Sequence, residues 1–139
     1  MTPFADSRYR LRMGQKIVGY MRKIHNKSTF YSTDSFWWTG RRINYSEIDE
    51  WIGFYDMNRK AIFEWDILKF KIDPDGDYQV GVVLWQTDKE RFVIRQLDSD
   101  LYFPFSIDGL QLFDQRQLKV FSHLFLNPDL MNQLGLEDE

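Results

Sequence analysis

The chain has 139 residues and a formal net charge of −3, with 43% hydrophobic, 28% charged and 17% aromatic residues. That is the make-up of one globular domain with its own core, and the aromatic surplus favours sheets, where flat, stiff side chains pack well on a pleated surface. The absence of cysteine excludes disulfides, thiolate nucleophiles and cysteine-type zinc sites. The start of the chain lacks the apolar run of a signal peptide and "VGVVLW" is too short to span a bilayer, so a soluble, cytoplasmic protein without membrane partners is expected.

Taken in chain order, "RYRLRMGQKIVGY" alternates in part and predicts two short strands meeting near Gly14. "HNKSTFYSTDS" is rich in Ser, Thr and Asn and reads as a loop, and "FWWTGRRINY" as strands on either side of a turn at Gly40. Ser46, with Asp49 three residues on, is a weak capping signal for one helical turn. "AIFEWDILKFKI" and "YQVGVVLWQ" flank the turn cluster "DPDGD", which predicts an antiparallel hairpin, and "RFVIRQL" continues the meander. Short strands follow at "YFPFSI", "LQLF" and "LKVFSHLF". Asn127 as cap, Pro128 at the first helical position, Asp129 in the first turn and Gly135 beyond the last predict a helix of about two turns. The fold expected is mainly β, a β-rich α+β domain with an antiparallel meander or barrel-like sheets and a short C-terminal helix.

Charge is unevenly spread. Residues 1–45 hold nine Lys or Arg against two acids, and the remainder nine bases against nineteen acids. A basic head on an acidic body is a signature of nucleic-acid binding, and equally of a head that docks on a body, in one chain or on a neighbour. Within the head, "FWWTGRR" places Trp37 and Trp38 close to Arg41 and Arg42, combining stacking faces with phosphate-pairing cations. Adjacent strand residues face opposite ways, so as a strand the segment would turn only one of the two indoles outward.

Residues 52–68, "IGFYDMNRKAIFEWDIL", place Gly53, Asp56, Asn58, Ile62, Glu64, Asp66 and Ile67 in the frame of the loose pattern Thr-Gly-Leu-x-Asp-x-Asn-Gly-x-x-Ile-x-Glu-Gly-Asp-Ile-Val. The stretch "FSHLFLNPDL", with Asn127, Pro128, Asp129 and Leu130, is similar to a second signature, Gly-Asn-Ile-Tyr-x-Asn-Pro-x-Leu. Both patterns belong to the YopX family of phage and prophage proteins, which the chain resembles over about residues 50–131 and, in the head, only through "RYRLR". The resemblance implies a single YopX-like domain over 1–139, a mostly β fold, a phage, prophage or mobile-element origin in a bacterial host, and no assigned activity or catalytic residue. The chain departs from the pattern at Arg59 and Trp65, where the family has Gly, and at Ser122 and His123, where it has Gly-Asn. Because Arg at a left-handed turn position costs roughly 1 kcal/mol or more, a different turn is expected at Met57 to Lys60.

Read physically, the same stretch is a scaffold: Gly53 for a tight backbone approach, Asp56 and Asn58 bonding to turn backbone, Ile62 and Ile67 in the core. Glu64 and Asp66, two apart on a predicted strand, share a face, and paired carboxylates serve acid/base chemistry or bind cations. No nucleophile, His or third ligand lies near them in sequence, so a structural role is favoured over a hydrolase. Asp73, Asp75 and Asp77 open like a calcium loop, but its sixth and twelfth positions are Tyr78 and Leu84, so a hairpin turn is favoured. His25 reads as an exposed loop residue and His123 as a structural strand residue. No catalytic residue, metal ligand or cofactor is assigned. The expectation is a non-enzymatic protein acting by protein–protein interaction with a host or phage protein and by homo-oligomerisation, with a nucleic-acid-binding module as the alternative.

Overall fold

The computed structural model describes residues 6–25 and 27–133, with side chains up to residue 130. The protein is mainly β, with antiparallel sheets and one short C-terminal helix, and it divides into two compact units, residues 1–51 and 52–139.

In the first unit β1 (Asp6–Met13) and β2 (Lys16–Ile24) form the hairpin expected around Gly14, whose φ of 61° suits a residue without Cβ. β3 (Ser28–Ser32) pairs with β2 inside the stretch expected to be a loop. Its Thr-Phe-Tyr centre has the side chains that strands favour, and these outweigh the flanking turn formers. "FWWTGRRINY" does the opposite: no strand forms on either side of Gly40, and only one isolated bridge, Tyr31 with Thr39, ties the segment to β3. The weak helical signal at Ser46 is overridden too. β4 (Glu47–Tyr55) begins there and pairs with β1, placing Asp49 opposite Arg10, while Ser46 Oγ accepts from Gly14 N at 2.9 Å.

β4 continues into the second unit, where β5 (Ala61–Phe63) is its sheet neighbour. The turn between them is the left-handed one after all: Arg59 has φ 61°, contrary to the expectation of a different turn. Asp56 explains how it is held. Its buried carboxylate accepts from Asn58 N, Lys60 N and, far along the chain, Val120 N at 2.8–2.9 Å. Gly53 has φ 92° with open space where a Cβ would stand, so backbone conformation and not close approach requires glycine.

The long strand expected over residues 61–72 is broken in two. Glu64 and Trp65 form a turn, Trp65 at φ 74°, before β6 (Asp66–Phe70), so the strand face that would have paired Glu64 with Asp66 does not exist. Asp66 is instead buried and accepts from Phe63 N at 2.9 Å, closing that turn. From here the meander follows as expected through β7 (Gln79–Gln86), β8 (Arg91–Gln96) and β9 (Tyr102–Pro104), with β12 (Leu118–His123) on the far side of β6. β10 (Ser106–Ile107) and β11 (Leu110–Gln111) form a small hairpin. Ile62, Leu68, Phe70, Val83, Ile94, Phe105, Phe113 and Leu118 make the core, and Ile67 is fully buried beside them in sequence. The helix α1 (Pro128–Gln133) starts where predicted; Asn127 turns its amide back to Ser122 Oγ and His123 O at 3.0 and 2.8 Å. Gly135 lies outside the described residues.

Candidate interaction site

The segment after β3 is irregular but tightly specified. Ser32, buried at the strand end, donates its hydroxyl to Asp34 Oδ1 at 3.0 Å and accepts from Ser35 N at 2.8 Å. Asp34 Oδ1 also accepts from Phe36 N and Trp37 N at 2.8 and 3.0 Å. These two amides, followed by the Ser32 hydroxyl, hold the Asp34 carboxyl below its ordinary value against a smaller desolvation effect. Thr39 then returns the chain to the β3 edge, exchanging backbone bonds with Tyr31 at 2.8 and 2.9 Å. The result is a closed loop with its crest at Phe36 and Trp37, whose side chains are 84% and 80% exposed.

Trp38 behaves differently from its neighbour. It is half-buried, with the Arg22 guanidinium 5.9 Å from its ring. Beyond it, Arg41 and Arg42 are exposed, and Arg41 N donates to Thr39 Oγ1 at 3.2 Å. Ile43 packs so closely on β2 that a Cβ at Gly19 would lie 2.7 Å from its Cδ1 and 2.8 Å from Ser32 O, which is why that strand position carries glycine.

The structure reduces the apparent basicity of the head. Arg10 and Arg12 are buried on the fully buried Asp49, with Nε to carboxylate distances of 2.9 Å, and Arg12 also donates to Gly14 O at 2.7 Å. Arg22 and Arg8 meet Asp6 at 2.8 and 3.2 Å, and Arg8 also lies 5.3 Å from the Trp51 ring. Burial raises the Asp6 carboxyl, but the bonds and charges of Arg22 and Arg8 together outweigh it and leave its pKa lowered. Four of the nine head cations therefore serve the unit's own architecture, whereas Arg41 and Arg42 face solvent.

The second unit carries a groove that the sequence reading missed. It measures about 430 Å³ and is lined by Met57, Lys71, Pro74, Tyr78, Asp114, Arg116 and Gln117. Its base is fixed by Gln117, which donates to Lys71 O and accepts from Asp114 N, both at 2.8 Å. Lys71 Nζ stands 4.6 Å from the Tyr78 ring, and the Tyr78 hydroxyl contacts Met57 Sδ at 3.8 Å. Arg116 donates its backbone N–H and then its side chain to Asp114, lowering the acid's pKa and raising its own. The capping pattern Asp114-x-x-Gln117 was the available signal, since it announces an ordered turn between two stretches read as short strands.

Of the remaining motif residues, Gly53 is an exposed position of β4, Asp56, Asn58, Ile62, Asp66, Asn127 and Pro128 lie in turns, core or helix start, and Glu64 lies in the turn before β6. His25 is exposed at φ 56° and His123 half-buried at the end of β12. Among the described residues no three His, Asp or Glu are grouped to hold a metal ion, and no helix is long and apolar enough to cross a membrane. No family model matches the chain, and no curated protein matches it.

Proposed function

We propose that this is a YopX-like phage or prophage accessory protein that works by binding proteins, its own copies included, and not by catalysis. The observation that carries the binding reading is the crest of Phe36 and Trp37: two large aromatic side chains held out into solvent on a backbone fixed by Asp34 and Ser32. Exposed aromatics on a fixed loop are suited to act as anchors, because the ordering cost of the loop has already been met in folding. Arg41 and Arg42 supply a charged rim that favours an acidic partner.

The family reading is supported by backbone geometry. Of the three glycines in the YopX pattern the chain keeps Gly53 and replaces the other two by Arg59 and Trp65, and all three residues have positive φ, at 92°, 61° and 74°. Asp56 and Asp66, which match the pattern's acids, are buried acceptors of backbone N–H groups. The pattern is thus a recipe for two turns.

Single-stranded nucleic acid is the second reading, favoured by the exposed Trp37, Arg41 and Arg42 in one short segment. Sedimentation velocity at low and physiological salt, with and without single-stranded DNA, separates the two. The expected result is association without DNA, abolished by Trp37→Ala, with negligible change on adding DNA. A protein monomeric at both salts that binds DNA tightly, and loses it when Trp37, Arg41 and Arg42 become Ala, refutes the protein-binding reading.

A further inference from the structure

We infer that the aromatic crest of one copy docks in the groove of the second unit of another copy. This rests on the self-association proposed above and names the surface that receives the crest. The groove offers what an indole or phenyl ring requires: apolar walls from Met57, Pro74 and Tyr78 on a base fixed by Gln117.

Charge sets the orientation. Pro74 belongs to the turn Asp73-Pro74-Asp75-Gly76-Asp77, whose three carboxylates are exposed, and whose form is fixed by Asp75 N and Gly76 N donating to Asp73 at 3.0 and 2.8 Å. At the crest, Arg41 and Arg42 follow Trp37 closely in sequence and face solvent. An aromatic anchor with a basic flank thus meets an apolar groove with an acidic flank. Arg116, the groove's own guanidinium, is already held by Asp114 at 3.3 Å, so it offers less repulsion to an incoming arginine than a lone cation would. The contact joins two different surfaces and is therefore heterologous, so it propagates head to tail and closes into a ring where the rotation allows.

The test uses two variants at exposed positions, Trp37→Ala in the crest and Met57→Ala/Tyr78→Ala in the groove, each checked for native circular dichroism. Each alone should weaken self-association by about thirtyfold or more, the usual effect of truncating a central aromatic anchor. Mixed, they should form a one-to-one heterodimer that goes no further, because the first retains its groove and the second its crest. If the groove variant assembles like the wild type while Trp37→Ala does not, the docking site is wrong and the self-association reading stands. If both variants are monomeric and their mixture stays monomeric, the crest and groove do not meet and the inference falls. If Trp37→Ala still assembles like the wild type, the crest is not the anchor and the inference falls while self-association stands; a wild type that is monomeric at both salts overturns the self-association reading itself. In a charge arm, Arg41→Glu/Arg42→Glu and Asp75→Lys/Asp77→Lys should each dissociate and restore association when mixed; no restoration overturns the orientation.

Discussion

Arg59 and Trp65 permit a test in which the same backbone change has opposite outcomes. Both residues sit in the left-handed region, at φ 61° and 74°. For a residue with Cβ that region costs about 1–2 kcal/mol, while glycine adds about 0.5–1 kcal/mol of unfolded-state entropy. Arg59 is exposed and its turn is held through backbone groups, Arg59 N to Asp56 O at 2.9 Å and Asp56 N to Lys60 O at 2.9 Å. Arg59→Gly should therefore stabilise the protein by about 0.5–1 kcal/mol, raising the melting temperature by roughly 2–3 °C at this chain length. Trp65→Gly gains the same relief but removes an indole packed with Val82 and Leu124 and set edge-on to Phe125 at 6.4 Å. Since Trp65 is only half-buried, the loss should be about 2–4 kcal/mol, leaving a net destabilisation of about 1–3 kcal/mol. Urea denaturation followed by circular dichroism measures both, with Arg59→Ala as the control that keeps Cβ. If Arg59→Ala stabilises as much as Arg59→Gly, the side chain and not the backbone angle is responsible, and the turn argument is wrong.

Other substitutions probe the remaining determinants. Asp56→Ala removes the acceptor of three amides and should cost about 4 kcal/mol or more, read as a large drop in the urea midpoint; a loss under about 1 kcal/mol would contradict the network. Asp49→Ala takes the carboxylate away from two buried arginines and should cost about 3–5 kcal/mol in the same assay. Asp34 has a folded-state pKa below its ordinary value of 3.8, so its hold on the crest is fully present above that value and is lost as pH falls through the lowered one. Amide protection factors, corrected for the intrinsic pH dependence of exchange, and chemical shifts of Phe36 and Trp37 should thus be constant from pH 8 to 5, and change only on acidification below the ordinary aspartate range.

Much of the second unit was legible because its signals are local. The alternation of "YQVGVVLWQ" and "RFVIRQL", the Pro and Gly in "DPDGD" and the Asn-Pro start of α1 each specify their element without help from distant residues. The errors fall where a distant partner decides. Asp49 looked like part of a weak cap, but two arginines on β1 claim its carboxylate and draw residues 47–50 into the sheet. Residues 28–32 looked like a loop, and β2 supplies the ladder that makes them a strand.

The candidate site was half legible for a related reason. Trp37, Trp38, Arg41 and Arg42 were identified as a group by composition, yet sequence could not tell that Asp34 and Ser32 would hold Trp37 out while Arg22 covers Trp38. Nor could it separate arginines engaged by acids from those facing solvent, because Asp6 and Asp49 reach them across strand pairs that only the fold creates. A summed head charge therefore overstates the field that a partner would meet. The segment that faces solvent is narrower: an aromatic crest and two arginines, with Asp34 beside the crest already turned toward its own backbone.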